Sequence, residues 1–345
     1  MTKSKATIQD IAKELGLSRN TVSKALNGSL NLAESTKEKI LKKAIEMNYK
    51  HFAYVDSSSV NIKKSSNIVF LSSSNPFDPY FWSYVIKGIE KKISDEGYNF
   101  SIRIIQPEEL AQTSLPGNFN VNDIDGIICS EIFNEDYIKA IINTNIPTIL
   151  IDTVANISFS DLACDIVLME NEHSVFKLTT EIIGKGHSQI GFVGIPGHCR
   201  SFYERWLGFN RALNTSGIEI NPDFNIIPKS DSYECDWIKE QLQNMNKLPT
   251  ALVCANDNIA INTMIAIKSL NLSVPDDISV CGFDNAPQSL IVDPALATVH
   301  THKEELGLRT AETLLWRLNN PHRPFQVTYI KTDVIIRDSL GSVSK

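Results

Sequence analysis

Residues 7–28 have the sequence TIQDIAKELGLSRNTVSKALNG, which predicts two short amphipathic helices joined by a tight turn. Thr7 is placed to cap the first helix, and Asp10, three residues later, completes a weak capping box. Gly16 ends this helix, because glycine adopts the left-handed conformation at no steric cost. The apolar residues recur at the i, i+3, i+4 and i+7 spacing of one helix face: Ile8, Ile11, Ala12 and Leu15.

The second helix, capped by Ser18, has two chemically different faces. The face turned toward the first helix is apolar and carries Val22, Ala25 and Leu26. The other face carries Arg19, Asn20, Ser23 and Lys24. Arg donates two hydrogen bonds to guanine, Asn pairs bidentately with adenine, and Lys or Ser reaches a base edge or a phosphate. This pattern is typical of a helix-turn-helix in the major groove, although an ordinary helical hairpin with a solvated face shares it.

A third helix is predicted shortly after this pair. Asn27-Gly28 end the second helix, and a capping box of Ser35 and Glu38 opens the third. The third helix completes the apolar face with Ile40, Leu41, Ala44 and Ile45. Three helices form a small domain, which favours a DNA-binding unit over an isolated hairpin.

These motifs resemble the DNA-binding headpiece of the LacI/GalR family of bacterial transcription regulators. The shared elements are T-x-x-D-I-A, G-x-S, T-V-S-[RK]-x-L-N and a closing N-Y. The resemblance implies that Arg19, Asn20 and Lys24 read bases. It also implies phosphate contacts for Thr7, Ser18, Thr21 and Ser23, and Asn27 completes the predicted DNA-binding set.

The charge of the chain is distributed unevenly. The 345 residues carry a formal net charge of -7, which by itself argues against a nucleic-acid binder. Residues 1–64, however, hold twelve Lys and Arg against six Asp and Glu, and the rest of the chain holds 21 against 34. A basic end on an acidic body is expected when only that end contacts DNA, and such binding weakens steeply with salt.

Composition indicates a cytoplasmic protein without a membrane partner, since we find neither an apolar signal segment nor a long apolar run. The six cysteines are scattered, which favours buried free thiols: Cys129, Cys164, Cys199, Cys235, Cys254 and Cys281. His300 and His302 form a pair without a third ligand nearby in sequence, so we predict no metal site. No cofactor motif and no nucleophile elbow is evident, and we predict that the chain is not an enzyme.

The predicted domains are a headpiece at 1–50, a hinge or linker at 51–66, and an effector-binding and dimerisation domain at 67–345. Relatives carry a proline and then an A-R-x-L hinge helix in the linker, whose leucine wedges into the minor groove. Here His51 replaces the proline and Ser58 the leucine. A serine is no apolar wedge, so we predict an operator that is bent less than in the relatives.

From residue 67 onward apolar runs and helical patterns alternate, which predicts an α/β fold with doubly wound parallel sheets. The resemblance covers this region too, and it implies two periplasmic-binding-protein-like lobes. We expect the N-lobe at about 67–165 and 294–326, and the C-lobe at about 166–293 and 327–340. The predicted strands are 68–71, 100–105, 126–129, 148–151, 190–194, 251–255, 278–283 and 329–336.

Candidate ligand residues follow the predicted strands, because ligands of such folds lie at the carboxyl ends of strands. On position alone we predict Asn75, Phe77, Tyr80, Phe81 and Asp152. The resemblance implies effector contacts for Arg205, within an R-x-x-G-F motif, and for Asn256 and Asp284. Carboxylates, amides, a guanidinium and aromatic faces together suit a sugar or another polyol. Two alternatives remain open: Asp152 as a cap of its own loop, and Tyr80 and Phe81 as core or interface residues.

The sequence therefore predicts a DNA-binding transcriptional repressor whose operator affinity is controlled by a small-molecule effector, a sugar or sugar derivative. We expect a C2 homodimer on a pseudo-palindromic double-stranded operator. Two alternatives come from other classes: a solute-binding protein without regulation, and an α/β enzyme with an accessory DNA-binding domain.

Overall fold

The structure, a computed structural model, describes residues 7–26, 34–47, 66–74, 80–117, 119–229 and 233–343. The chain divides into two compact units, residues 1–65 and 66–345. The first unit contains the three predicted helices: α1 (Ile8–Leu15), α2 (Arg19–Leu26) and α3 (Glu34–Glu46). Its core combines apolar side chains from all three helices: Ile11, Ala12, Val22, Ala25, Leu26, Ile40 and Ala44.

The caps of α1 and α2 follow the sequence prediction, whereas the predicted cap of α3 does not. Thr7 and Asp10 form a reciprocal capping box at the start of α1, and Gly16 ends this helix with φ at 64°. The Ser18 hydroxyl accepts a hydrogen bond from the Thr21 amide at 3.0 Å. Helix α3 begins at Glu34, one residue before the predicted cap Ser35. Residues 51–65, and with them the atypical hinge, lie outside the described residues.

The second unit alternates strands and helices, as predicted. Its strands are β1 (Asn67–Ser72), β2 (Asn99–Ile104), β3 (Gly126–Ser130), β4 (Thr148–Ile151), β5 (Asp165–Met169), β6 (Ile190–Val193), β7 (Ala251–Cys254), β8 (Ser279–Cys281), β9 (Thr298–His300), β10 (Val327–Ile330) and β11 (Asp333–Ile335). Its helices are α4 (Trp82–Asp95), α5 (Pro107–Ala111), α6 (Glu135–Ile142), α7 (Glu172–Gly184), α8 (Arg200–Thr215), α9 (Cys235–Gln243), α10 (Asp257–Ser269), α11 (Gln288–Ile291) and α12 (Lys303–Asn319). None of the helices in the described part of the chain is long and apolar enough to cross a membrane.

The first lobe is built on a parallel sheet with the order β10-β5-β4-β3-β1-β2. Alternate residues of its strands enter two separate cores, one on each face of the sheet. Helix α6 covers one face, and α4 and α12 cover the other. Both faces are thus buried, which explains why the strands are continuous apolar runs.

The second lobe contains the parallel sheet β6-β7-β8 and the antiparallel pair β9-β11. A bridge between Cys281 and Ala297 brings the β9 segment to the edge of β8. One continuous core includes residues of α7, α8, α9 and α10 together with the strands. The chain passes between the lobes three times: from β5 to α7, from β9 to α12, and from β10 to β11.

Three sequence predictions need correction. Strand β5 was not predicted, and it belongs to the first lobe although our boundary placed residues 166–169 in the C-lobe. The single strand predicted at 329–336 is two strands, β10 in the first lobe and β11 in the second. Residues 298–300 form β9 in the second lobe, whereas 294–326 had been assigned to the N-lobe. In each case the chain changes lobes within a few residues, and hydrophobicity carries no signal of that change.

Helices α4 and α12 cross at backbone contact. A Cβ added to Gly88 would lie 2.2 Å from the Glu304 carbonyl oxygen, and one added to Gly307 would lie 2.0 Å from the Val85 carbonyl oxygen. Both distances are far below van der Waals contact, so each of these two positions requires glycine. The two helices therefore form one rigid layer on the first lobe.

A buried ion pair organises the chain between α12 and β10. Arg317 donates two hydrogen bonds to the Asp165 carboxylate, at 2.7 and 2.8 Å, and both side chains are almost fully buried. The remaining guanidinium hydrogens bond three backbone carbonyls of the connecting loop, those of Asn320, Arg323 and Pro324. This aspartate begins β5, directly before the apolar run at 166–169, and the ion pair fixes the start of that strand.

We expect Arg317→Met to destabilise the second unit by about 3–5 kcal/mol, because it leaves the Asp165 carboxylate buried without its partner. The free energy of unfolding in urea measures the effect. Arg309→Met on the same helix is the matched control, since Arg309 pairs with Glu305 and Glu312 on the surface. Equal unfolding curves for the two variants would contradict this account of the ion pair.

Candidate functional site

The headpiece presents its predicted DNA-binding residues on α2. Arg19, Asn20 and Lys24 are exposed, whereas Thr21 and Ser23 are half-buried. Ser18 lies just before α2, where its hydroxyl caps the helix and lies 2.7 Å from the Thr21 hydroxyl. Arg19 and Asn20 form the first turn of α2, the part of a recognition helix that reaches base edges.

The other predicted DNA-binding residues lie outside α2. Thr7 is exposed, and its hydroxyl donates to the Asp10 carboxylate at 2.6 Å. Asn27 lies outside the described residues. The hydroxyls of Thr7 and Ser18 already form helix caps. A hydrogen bond from either hydroxyl to a DNA phosphate would be a second bond of the same group.

A cavity of about 200 Å³, here called the Arg205 cavity, lies between the two lobes. Five predicted effector residues line it: Phe81, Asp152, Arg205, Asn256 and Asp284. Tyr80 lines two adjoining cavities. Asn75 and Phe77 fall on residues that the structure does not describe. The carboxyl ends of strands from both lobes meet here, which is where ligands bind in folds of this type.

Arg205 is buried and held by neutral acceptors. Its Nε donates to Asn171 Oδ1 at 2.9 Å, and one terminal nitrogen donates to the Ala255 carbonyl at 2.6 Å. The other terminal nitrogen lies 3.9 Å from the Asp284 carboxylate, and the guanidinium covers the Phe283 ring at 3.7 Å. The guanidinium is thus fixed in one orientation with one end directed toward Asp284.

Asp152 combines a position in the cavity wall with hydrogen bonds to the backbone. It lines the cavity, and its carboxylate accepts hydrogen bonds from the amides of Thr153 and Ser201, at 2.7 and 3.2 Å. Ser201 is in the first turn of α8, whose own N-cap residue Cys199 makes no side-chain cap. Asp152 of the first lobe therefore caps a helix of the second lobe. Burial raises the pKa of Asp152, while these hydrogen bonds and the charge of Arg205 oppose the shift.

Asn256 and Asp284 follow two neighbouring strands of the second lobe. The Asn256 side-chain oxygen caps α10 by accepting from the Ile259 amide at 2.9 Å, which leaves the amide nitrogen for another partner. Asp284 has φ at 116°, a backbone conformation that residues other than glycine rarely adopt. Such strain persists where the surroundings fix it, and it concentrates at binding sites.

Two ionisable residues near Asp284 were not predicted. Lys303, the first residue of α12 in the first lobe, is buried and donates to the Asp284 carbonyl oxygen of the second lobe. Burial lowers the pKa of Lys303, and the charges of Asp284 and Asp257 oppose that shift. Asp257 is also buried, and desolvation together with the charge of Asp284 raises its pKa to about 7.

Asp257 uses both carboxylate oxygens within the protein. One oxygen accepts from the Thr298 hydroxyl at 2.5 Å, and the other from the Ala286 amide at 2.7 Å. The N-D pair of residues 256 and 257 was visible in the sequence, but nothing there showed that the aspartate faces the protein. Lys303 follows no predicted strand, so the rule that placed the candidate ligand residues did not select it.

A further contact crosses the cleft beside the Arg205 cavity. The Tyr329 hydroxyl, on β10, donates to the buried Glu204 carboxylate of α8 at 2.7 Å. Glu204 also accepts from Arg200 Nε at 2.8 Å and from the Asn171 amide at 3.2 Å. Since Asn171 also holds Arg205, this network joins the first passage between the lobes to the candidate site.

Within the described ranges, no three His, Cys, Asp or Glu residues are grouped so as to hold a metal ion. His302 lies 3.0 Å from the Asp333 carboxylate, and the His300 and His302 rings meet edge to face at 4.7 Å. All six cysteines are free thiols; five are buried, and Cys235 is partly buried.

Comparison with known proteins places both units in characterised families. Residues 7–51 match the family model "Bacterial regulatory proteins, lacI family", and residues 179–340 match the model "Periplasmic binding protein-like domain". The probable HTH-type transcriptional repressor ExuR of Bacillus subtilis is 33% identical over 340 residues, covering 97% of this chain and 98% of ExuR. The HTH-type transcriptional repressor PurR of Pasteurella multocida is 29% identical, covering 98% of this chain and 99% of PurR.

Among solved structures, the transcriptional regulator CelR in complex with cellobiose matches 97% of this chain and 99% of CelR, with a TM-score of 0.72 and 19% identity. At this identity the likeness shows a common fold. It confirms the predicted architecture, a helix-turn-helix headpiece followed by a two-lobed periplasmic-binding-protein-like domain.

The raised pKa of Asp257 gives a testable pH dependence. The folded protein keeps a proton on this carboxyl up to about pH 7, whereas an ordinary aspartate releases it near pH 3.8. The stability that Asp257 contributes is therefore complete below about pH 4 and is lost as the pH rises through 7. From pH 8 to pH 5 we expect the wild type to gain stability relative to Asp257→Asn, by at most about 1.4 kcal/mol per pH unit.

Unfolding in urea across this pH range measures the difference. Asp276→Asn is the control, because Asp276 is exposed on the same lobe, and its curve should run parallel to that of the wild type. A curve for Asp257→Asn that also runs parallel would show that Asp257 does not titrate in this window.

Proposed function

We propose that this chain, which belongs to the lacI family of bacterial regulatory proteins, is a repressor whose operator affinity is set by a small polyol bound in the Arg205 cavity. The observation that carries the proposal is the convergence of Phe81, Asp152, Arg205, Asn256 and Asp284 on one cavity between the lobes. These residues come from distant parts of the chain: three follow strands, Arg205 belongs to α8, and Phe81 directly precedes α4.

The chain is a DNA-binding transcriptional regulator of this family, and we propose α2 as its reading helix. Arg19 and Asn20 are exposed on its first turn, and Lys24 is exposed one turn later. Arg and Asn have the donor and acceptor geometry for guanine and adenine in the major groove. Thr7, Ser18, Thr21, Ser23 and Asn27 remain proposed contacts to the DNA.

The chemistry of the Arg205 cavity supports a neutral polyol. Asp152 and Asp284 offer carboxylate acceptors for hydroxyl groups, and the one guanidinium is partly committed to protein carbonyls. Phe81 supplies an aromatic surface for the apolar face of a sugar ring. The volume lies below the roughly 300–1,000 Å³ of pockets for drug-sized ligands, which favours a ring of monosaccharide size at this position.

Effector control follows from the position of the cavity. Groups of both lobes line it, so a bound ligand changes the relative free energies of closed and open arrangements of the lobes. If this change alters operator affinity, operator must alter effector affinity by the same factor. Equal effector affinity with and without operator DNA would therefore contradict the regulatory part of the proposal.

A homodimer on a pseudo-palindromic operator suits both the family and the surface of the second lobe. Large apolar side chains are exposed on α10 and α11: Ile265 (49%), Leu290 (61%) and Ile291 (82%). We propose that these exposed side chains contribute to the contact between the two chains. A C2 dimer would present two reading helices to two half-sites.

The relatives are DNA-binding repressors by name, which opposes the two alternative classes. A solute-binding protein without regulation would have no use for the headpiece. An accessory enzymatic function would need a catalytic constellation that we do not find in the described residues. We propose a cytoplasmic regulator that is not an enzyme.

We expect Arg19→Met to lower the affinity of the full chain for its operator by about 1–3 kcal/mol and to relax base preference at one position. The reason is the loss of a forked donor to a base edge. The operator is first selected from a random DNA library with the wild type, and fluorescence anisotropy then gives the affinities.

Lys13→Met removes the same charge from α1 and serves as the control. It should leave the ratio of operator to non-specific affinity unchanged. If Arg19→Met also preserves this ratio, Arg19 contacts phosphate and not a base.

We expect Arg205→Met to weaken effector binding by about 2–4 kcal/mol, because it removes a buried charged donor. Thermal shift with glucose, galactose, xylose, cellobiose, maltose and lactose identifies a ligand, and isothermal titration calorimetry then gives its affinity. Arg211→Met, on the outer side of the same helix, is the matched control because Arg211 pairs with Glu172 on the surface. Unchanged affinity in Arg205→Met would remove this residue from the site.

A further inference from the structure

A second cavity adjoins the Arg205 cavity. Its volume is about 400 Å³, and Phe81, Asn256 and Asp284 line both cavities. We call it the Gln288 cavity, after a residue that lines it but not its neighbour. The two cavities thus share three residues that are proposed contacts of the effector.

The two walls of the Gln288 cavity differ in chemistry. The first lobe contributes the aromatic rings of Tyr80 and Phe81. The second lobe contributes the amides of Asn256, Asn258 and Gln288 and the carboxyl groups of Asp257 and Asp284. An aromatic surface opposite hydrogen-bonding groups suits a hydroxyl-bearing ring, because the ring has an apolar face and an edge of donors and acceptors.

Gln288 gives a second, independent indication of a ligand. Its Oε1 atom is buried and has no hydrogen-bond partner within the described part of the chain. A buried acceptor without a partner is unfavourable, and a hydroxyl donor of a bound molecule would relieve that cost.

Two aspartates, Asp257 and Asp284, also line this cavity. Both oxygens of Asp257 accept hydrogen bonds from the protein, from the Thr298 hydroxyl and the Ala286 amide. The Asp284 carboxylate lies 3.9 Å from the Arg205 guanidinium, which offsets its charge. This balance favours an uncharged second ring over a cationic group.

We propose that the effector extends from the Arg205 cavity into the Gln288 cavity and is a two-ring polyol of disaccharide size. The inference rests on the proposed function, since it assigns the size of the ligand of that same site. Phe81, Asn256 and Asp284 would then face the linkage between the two rings.

The test compares disaccharides with their component monosaccharides on the full chain. Isothermal titration calorimetry is run with cellobiose, maltose and lactose, and with glucose and galactose. We expect at least one disaccharide to bind about tenfold or more tightly than each of its components. Gln288→Met should lower the affinity for that disaccharide by roughly three- to tenfold and leave the affinity for monosaccharides unchanged.

Two further variants separate a loss of binding from a loss of folding. Asn258→Ala changes an exposed side chain of the same cavity, and it should also weaken the disaccharide selectively. Gln241→Met makes the same substitution on α9, away from both cavities, and should change neither affinity.

The possible failures are distinguishable. A monosaccharide that binds as tightly as every disaccharide overturns the second subsite and leaves the polyol effector intact. The same conclusion follows if Gln288→Met and Asn258→Ala leave the disaccharide affinity unchanged. If none of the five sugars binds, the carbohydrate effector fails as well, and this inference fails with it.

Discussion

The buried guanidinium of Arg205 is the constraint on which the second unit depends. A buried charge needs several acceptors in fixed positions, and here these are the Asn171 side chain at the first passage between the lobes and the Ala255 carbonyl after β7. One turn later on α8, a Cβ at Gly208 would lie 2.1 Å from the Glu172 carbonyl oxygen, so α7 and α8 touch at this point. The arginine and the glycine of the R-x-x-G-F motif thus have separate roles. The arginine fixes the cavity wall, and the glycine allows α8 to approach α7 closely.

Several hydrogen bonds cross the cleft around this fixed group. They include those from the Ser201 amide to Asp152, from the Arg200 amide to the Thr153 carbonyl, from Lys303 to the Asp284 carbonyl, and from the Tyr329 hydroxyl to Glu204. Hydrogen bonds are directional, so a rotation of one lobe would break them together, whereas apolar contacts would weaken gradually. A cleft lined in this way favours a few discrete arrangements of the lobes, which regulation by a ligand requires.

Sequence patterns predicted the features that depend on neighbouring residues, such as helix caps. The capping box of Thr7 and the glycine ending α1 could be predicted because each acts within a few residues. The candidate ligand residues Arg205 and Asp284 came from motifs, and the fold brings them to one cavity. What the sequence missed depends on distant partners. The buried ion pair at the start of β5 is one such feature, because Arg317 lies 152 residues beyond Asp165 along the chain. Lys303 enters the cleft only because the chain changes lobes just before it, and no composition or periodicity marks that change.

The cap that Asp152 provides for α8 has an evolutionary consequence. A helix that is capped by its own chain can be exchanged between related proteins as a unit, but the first turn of α8 takes its acceptor from the other lobe. A second lobe recombined onto a different first lobe would keep this helix start only if the new host supplied a carboxylate directly after its β4. The two lobes are therefore expected to be inherited together, and a new ligand preference to arise by point substitution within the cleft.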